Sequence, residues 1–185
     1  MLDGSVNIIS FGGTNIAIST MVADFKMLGY DRRGDMFPTK SLAVLSEASQ
    51  SSWRQITANG VNIICTPATL FWIGTGWKAA GDLVVSTDSI YGLSGTTTYN
   101  FGALPHATAA ANYRTLFQSF MVTANNSHSQ TATAYQLRTS VGRYFANRFV
   151  VRDEFYIVTN RLLLRFLSGG AKHGNVFLAL QGLWP

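Results

Sequence analysis

The amino-acid sequence predicts an all-β protein: a compact fold of hairpins with at most one short helix, continued by a C-terminal β extension. Three observations carry that expectation. Apolar residues alternate at period two or gather in strand-length runs over most of the chain, Gly-Gly and Asn-Gly pairs punctuate those runs, and helix formers accumulate in only one place. With 185 residues, 47% of them hydrophobic, the chain is long enough to bury a core, and its length suits one domain with elaborations rather than two independent ones.

Taken in order, Val6 and Ile8 alternate with Asn7, reach Gly12-Gly13, and give way to Ile16, Ile18 and Thr20 at the same period, the pattern of a hairpin closed by a tight turn. A third strand is expected over Phe25 to Tyr30, ended by the polar turn Asp31-Arg32-Arg33-Gly34-Asp35, and a fourth over Ser41 to Leu45. Trp53 to Thr57 and Val61 to Thr66 flank Asn59-Gly60, and Asn-Gly between two β-rich runs is among the strongest short-range hairpin signals. Leu70 to Val85 interleaves aromatic residues with Gly74, Gly76 and Gly81, which predicts short strands and tight loops. Helix formers gather between Ala107 and Phe120, where the single short helix is placed, and Asn125 to Thr133 reads as a polar loop. Tyr135 to Val151, Phe155 to Phe166 and Val176 to Leu180 carry β-branched and aromatic residues in strand-length runs, before the chain closes on Trp184-Pro185. No internal repeat or interdomain linker is visible in the sequence. The expected organisation is a β domain over residues 1–154 and an extension over 155–185 that packs on it or on a neighbouring subunit.

Charged residues make up 12% of the chain, against roughly a quarter in soluble globular domains, and Gly, Ser, Thr, Asn and aromatic residues stand in their place. Such a neutral surface favours a protein whose faces are covered by partners in an assembly. The formal net charge of +5 would assist contact with phosphates or an acidic partner. Arg138, Arg143, Arg148, Arg152, Arg161 and Arg165, however, are spread singly through apolar sequence, which argues against specific nucleic-acid binding and for solvent-side positions on alternating strands. Cys65 is the single cysteine, so no intrachain disulfide can form, and within the run Val61 to Cys65 it reads as a small buried side chain. No basic segment followed by a long apolar stretch opens the chain, and no segment reaches membrane-spanning length, so neither a secretion signal nor a membrane location is expected.

Three segments, in order, carry a resemblance. Leu2-Asp3-Gly4-Ser5-Val6, then Phe25-Lys26-Met27-Leu28-Gly29-Tyr30-Asp31, form the first; Val61 to Thr66 with Pro67, Phe71-Trp72, Gly76-Trp77-Lys78-Ala79 and Asp82-Leu83 form the second and most specific. Tyr135-Gln136-Leu137-Arg138-Thr139 and Tyr144-Phe145-Ala146-Asn147-Arg148-Phe149-Val150-Val151 form the third. Together they resemble the opening, central and closing blocks of the Hint (hedgehog/intein) family, spanning residues 1 to 154.

The resemblance implies which positions would carry chemistry. Self-splicing or self-cleavage in the family begins when a thiol or hydroxyl at the first position attacks the preceding carbonyl. Met1 stands in that register, and a thioether has no proton to lose; as the first residue it is also expected to have no upstream peptide bond to attack. The central block supplies Thr and His three residues apart; Thr66 is retained, but Thr69 holds the histidine position, and only an imidazole has an unperturbed pKa near neutrality. The closing block ends His-Asn followed by a nucleophile, and those places hold Arg152, Asp153 and Glu154. Arginine stays protonated, whereas Asp153 retains the ability to cyclise onto its own carbonyl. The family's earlier histidine of this block falls at Gly142.

Other constellations point nowhere sharper. His106, His128 and His173 have no metal-ligand spacing with Cys65, so neither a metal nor any other cofactor is expected. No nucleophile elbow, P-loop or dinucleotide fingerprint is present, and Asp31, Asp35 and Glu47 form no acid/base pair pattern. Arg33-Gly34-Asp35 and the sequon Asn125-Asn126-Ser127 read as coincidences of a turn-rich, polar sequence.

A fold that keeps its hairpins while its reactive groups are replaced is expected to be a scaffold and not an enzyme. The first expectation is a non-catalytic structural subunit of a bacteriophage virion (tail, adaptor or baseplate, or capsid decoration), assembled in the host cytoplasm with other structural proteins as a homo- or hetero-oligomer. Its interaction face is expected in the extension, at Phe155, Tyr156, Ile157, Phe166, Val176, Phe177 and Trp184, where an extended strand can add to a neighbour's sheet edge. The second expectation is an autoprocessing Hint domain acting through Asp153 or through Ser5. The third is a carbohydrate- or protein-binding module using Trp53, Trp72, Trp77 or Trp184, with Trp72 and Trp77 reading better as buried core.

Overall fold

The computed structural model describes residues 1–12, 14–30, 36–94 and 116–152, and of Met36 and Phe37 the backbone. All of them belong to one compact unit, Met1–Glu154. In chain order the strands are β1 (Leu2–Asp3), β2 (Asn7–Ile9), β3 (Asn15–Ala17), β4 (Lys26–Tyr30), β5 (Met36–Gln50), β6 (Trp53–Ala58) and β7 (Val61–Cys65). They continue with β8 (Leu70–Trp72), β9 (Trp77–Ala79), β10 (Ser89–Leu93), β11 (Phe117–His128), β12 (Ala132–Thr139), β13 (Arg143–Ala146) and β14 (Phe149–Arg152). Short 3₁₀ turns cover Ile18–Thr20 and Ala80–Asp82. The all-β expectation is met.

Local chemistry explains the tightest turns. Asn59 and Gly60 take φ of 49° and 69°, and Ala58 faces Val61 across a two-residue connection, the mirror-image turn whose twist suits a hairpin. The β13–β14 hairpin repeats this arrangement without a glycine: Asn147 and Arg148 take φ of 42° and 76° between Ala146 and Phe149. Long-range bonds hold that strained turn. Asn147 receives the Asn7 N–H on Oδ1 at 2.7 Å, gives its own N–H to Asn7 O at 2.7 Å, and donates from Nδ2 to Asn62 O at 2.7 Å.

Several expected boundaries move. The period-two pattern through Ile18 and Thr20 stops at Ala17, because Ile18 N–H bonds Val6 O, Ser19 N–H bonds Gly4 O and the Thr20 hydroxyl bonds Ala17 O, winding the segment into a turn that buries Ile18. The strand expected over Ser41 to Leu45 runs instead from Met36 to Gln50, its polar end kept extended by the pairs Tyr135↔Ser46 and Ala134↔Glu47. The polar loop expected over Asn125 to Thr133 shrinks to residues 129–131. Asn125 to His128 belong to β11, where pairing with Ile56, Gln55, Arg54 and Trp53 satisfies the backbone whatever the side chains. Phe117 to Phe120, placed in a helix by sequence, open that same strand, paired with β10; residues 107–115 lie outside the described residues.

The strand order is β3-β2-β13-β4-β5-β12-β1-β7-β6-β11-β10-β14-β8-β9. It reads as two matching halves: β3, β2, β13, β4, β5, β12 and β1 correspond to β9, β8, β14, β10, β11, β6 and β7. β5 pairs with β4 and then switches to β12, and β11 pairs with β10 and then switches to β6. The backbone bonds Val6 N to Asp3 O, Ile18 N to Val6 O, Ser19 N to Gly4 O and Met21 N to Ile18 O recur as Thr69 N to Thr66 O, Ala80 N to Thr69 O, Gly81 N to Pro67 O and Leu83 N to Ala80 O. This structural repeat was invisible in the sequence because its equivalent residues share backbone roles and not side chains: Asp3 with Thr66, Gly4 with Pro67, Val6 with Thr69.

Two apolar clusters fill the fold. Leu2, Val6, Ile8, Ile18, Ile56, Ile63, Cys65, Phe71, Leu137, Tyr144 and Phe149 belong to one, and Ile9, Leu28, Tyr30, Leu93, Phe145 and Val150 to the other. The β13–β14 hairpin therefore buries both faces, which is why Tyr144 to Val151 lacks the polar alternation of a half-exposed sheet.

Candidate active site

Residue 1 meets two threonines at the centre of the strand order. β1 lies between β7 and β12, with Leu2 opposite both Cys65 and Tyr135, so Met1 is delivered to the loop that follows β7. The Met1 nitrogen donates to Thr66 Oγ1 and Thr69 Oγ1, each at 2.9 Å. The Met1 carbonyl oxygen accepts the Thr66 N–H at 2.9 Å and the Thr69 hydroxyl at 2.7 Å. Both threonines are nearly fully buried, at 5% and 3% exposure.

A hydroxyl has one proton to give. Thr69 spends its proton on the Met1 carbonyl, so in the 3.2 Å contact between the two hydroxyls Thr66 is the donor. The result is a closed circuit in which every hydroxyl proton and the Met1 backbone are engaged. Such a cradle can grip and orient a backbone nitrogen and carbonyl. Neither threonine hydroxyl titrates near neutrality, so the pair of side chains does not itself shuttle protons.

The loop's own shape is set by backbone bonds: Thr69 N to Thr66 O at 3.0 Å closes a tight turn, and Ala80 N to Thr69 O and Gly81 N to Pro67 O pin it to the 3₁₀ turn after β9. Two residues beyond Thr69, Phe71 of β8 pairs with Val151 of β14. The strand leading to residue 153 is thereby tied to the same segment that holds Met1. Arg152, at the end of β14, is half-buried, and its guanidinium lies 5.6 Å from the centre of the Trp77 ring. Gly142, the other position carried over from the closing block, is buried in a turn with φ of 72°.

Asp3 anchors the same end of the chain. Its Oδ1 accepts the Ser5 N–H at 2.9 Å and the Ser5 hydroxyl at 2.5 Å, and its Oδ2 accepts Gln130 Nε2 at 3.0 Å. Burial pushes its pKa up, but those hydrogen bonds and the nearby His128 outweigh burial and hold the carboxyl below the usual 3.8. Ser5, the alternative nucleophile, is exposed and directs its hydroxyl at Asp3, apart from the threonine cradle.

Sequence reasoning placed Met1, Thr66 and Thr69 together, and the fold brings them into contact; it did not foresee that Thr69 grips both backbone atoms of residue 1. Asp153 and Glu154, and the interaction residues Phe155, Tyr156, Ile157, Phe166, Val176, Phe177 and Trp184, lie outside the described residues, as do His106, His173 and Arg33-Gly34-Asp35. Trp53 is buried with its indole N–H on Gln50 O, which removes it as an exposed binding residue, whereas Trp72 and Trp77 are half-buried and pack against the cluster of Ile9, Leu28 and Phe145. Asn125 of the sequon is half-buried in β11 with its amide donated to Ala80 O and Leu83 O. Among the described residues no three His, Cys, Asp or Glu side chains gather as a metal site, and no helix is long and apolar enough to cross a membrane.

Fold and cradle together define a class: the chain has the Hint fold of hedgehog and intein domains. The solved structures it is similar to are inteins and an intein-like domain. A DnaB intein from Synechocystis sp. PCC 6803 superposes with a TM-score of 0.67 at 13% identity, covering 83% of this chain and 97% of that one. The intein-like domain from Clostridium thermocellum gives 0.63 at 14% identity over 82% and 97%, and the DnaX mini intein from Spirulina platensis 0.62 at 16% identity over 82% and 98%. No family model and no curated protein sequence matches the chain. These likenesses overturn the expectation of a chain without enzymatic activity. Inteins are self-splicing proteins, and replacement of side chains at six positions across the three blocks, from which the expectation was drawn, is no ground for a non-enzymatic reading of a fold they share.

Proposed function

We propose that this chain is an autoprocessing domain of the intein type whose reactive junction is the Asp153–Glu154 bond. One observation supports the reading above the others: Thr69, which grips residue 1, leads directly into β8, and β8 is bonded to β14, the strand that ends one residue before Asp153. In the proposed step, one oxygen of the Asp153 carboxylate attacks its own backbone carbonyl carbon and closes a five-membered anhydride. The C–N bond to Glu154 breaks, the nitrogen takes a proton from water and leaves as an amine, and a second water opens the anhydride to regenerate Asp153 at a new C-terminus. Arg152 stays protonated throughout and stabilises negative charge without acting as a base.

The test is a fusion of the full chain to a downstream reporter, followed by intact-mass measurement over days. Two fragments whose masses sum to the fusion plus one water, with the break between Asp153 and Glu154, support the reading, and Asp153→Ala should leave the fusion whole. A wild-type fusion that also stays whole removes it.

A second reading concerns where the domain works. Low charge, together with exposed Leu42, Leu45, Val84, Val85 and Met121, favours a chain covered by structural partners, and a phage virion is the assembly we propose. Recovery of the chain from purified particles tests this; a monomer at every concentration and in every fraction counts against it.

A further inference from the structure

Asn125 has a counterpart of different chemistry in the other half of the fold. Asp24 N bonds Ser41 O as Ser86 N bonds Val122 O, and Ser41 N bonds Phe25 O as Val122 N bonds Asp88 O, so Ser41 and Val122 are equivalent. From there β5 and β11 each skip one residue in their ladders, and Val44 opposite Leu137 matches Asn125 opposite Ile56. An apolar side chain in one half is thus an amide in the other. The amide belongs to the half that carries Thr66 and Thr69.

That amide is wired to the threonine cradle. Asn125 Nδ2 donates to Ala80 O at 2.9 Å and to Leu83 O at 2.8 Å, bridging the two ends of the 3₁₀ turn after β9. Ala80 N bonds Thr69 O at 2.8 Å, and the Thr69 hydroxyl bonds the Met1 carbonyl at 2.7 Å. Three links therefore run from Asn125 to residue 1. The arrangement is unfavourable in one respect: with both amide protons turned to the carbonyls, Oδ1 is buried and has no hydrogen-bond partner among the described residues.

The fold itself does not require this. Val44 has no donor to offer, yet the matching turn Ile18–Thr20 forms all the same. In that half the residue equivalent to Thr69 is Val6, a buried apolar side chain with no hydroxyl to aim. A local rule broken only in the half with a hydroxyl to place points to a function for the break.

We infer that Asn125 is a positioning residue that sets the Thr69 hydroxyl on the backbone of residue 1. Two bonds from one planar amide fix both the place and the tilt of the turn that holds Thr69, and a hydroxyl bond tolerates little error in distance or angle. Asn125 acts through Ala80 and Thr69. The role goes beyond the cleavage reading and does not depend on it.

The test uses the full chain carrying Asp153→Ala, so that backbone cleavage cannot interfere, and follows hydrogen exchange amide by amide by NMR. The reporters are the Thr66 N–H, held by Met1 O, and the Ala80 N–H, held by Thr69 O; the Ile18 and Ser19 N–H groups are the controls in the other half. Asn125→Val, which copies Val44, should fold and should speed exchange at Thr66 and Ala80 at least about tenfold, with less than about twofold change at Ile18 and Ser19. In a Thr69→Val background the same substitution should alter Thr66 by less than about twofold, because the hydroxyl through which Asn125 acts is already gone. A chain that fails to fold with Asn125→Val, an equal rise at all four amides, no rise at Thr66, or a full rise at Thr66 in the Thr69→Val background would each overturn the role.

Discussion

The Thr69 hydroxyl touches both ends of residue 1, donating to the Met1 carbonyl at 2.7 Å and accepting from the Met1 nitrogen at 2.9 Å. A threonine at the family's histidine position thus keeps the grip on the backbone and gives up the titration. Its contribution is geometric, and removing the hydroxyl tests it. Thr69→Val conserves the shape but strips the Met1 carbonyl of one donor and leaves the Thr66 hydroxyl proton without its acceptor. A loss of about 1–3 kcal/mol in urea unfolding is expected. Thr69→Ser, which keeps the hydroxyl, should recover most of it.

Asp3 predicts how the fold responds to acid. Burial opposes its ionisation, but the hydrogen bonds from Ser5 and Gln130 prevail, so its folded pKa lies below its unfolded one. A group shifted in that direction contributes stability that is complete above the unfolded pKa and is lost as pH falls through the folded pKa. The thermal midpoint, followed downward from about pH 5, should therefore fall more steeply in the wild type than in Asp3→Asn. Some dependence must survive, because Lys78 at 2.6 Å and the Val84 N–H at 2.6 Å lower Asp88 in the same direction. Parallel curves for wild type and Asp3→Asn would refute the assignment.

Gly92 and Gly76 make a matched pair. A Cβ on Gly92 would stand 2.5 Å from the Arg148 carbonyl oxygen and 3.0 Å from the Phe149 ring, in the ladder between β10 and β14, where backbone cannot step aside. Gly92→Ala should cost about 1–3 kcal/mol by thermal or urea unfolding. A Cβ on Gly76 meets nothing within 4 Å, so Gly76→Ala should change stability by less than about 0.5 kcal/mol.

Asn147 ties the β13–β14 turn to two distant strands. Asn147→Ala removes the bonds to the Asn7 N–H and the Asn62 carbonyl and places alanine at φ of 42°. Both effects act in one direction, and about 2 kcal/mol of destabilisation is expected in urea unfolding, against about half of that for Asn147→Asp, which keeps the acceptor.

Legibility followed the range of the interaction. Asn59-Gly60 was readable because its turn needs positive φ at two adjacent residues, a demand that side-chain chemistry states locally. The turn at Asn147-Arg148 makes the same demand but is secured by Asn7 and Asn62, far away in the chain, and nothing in its own residues announced it. β11 misled for a related reason: its polar second half is held extended by β6, so the backbone partner overrode the loop-like composition.

By itself the sequence determined the hairpin chemistry, the burial of Cys65 and the Thr66–Thr69 spacing, since φ preference, hydrophobicity and residue count act over a few positions. Only the tertiary structure decided that the Met1 nitrogen reaches Thr66, that Arg143 and Arg152 share the Trp77 ring, and that two chemically unlike halves repeat one topology. Those outcomes arise from pairing strands dozens of residues apart, where burial and backbone hydrogen bonding choose partners and the side chains need only fit.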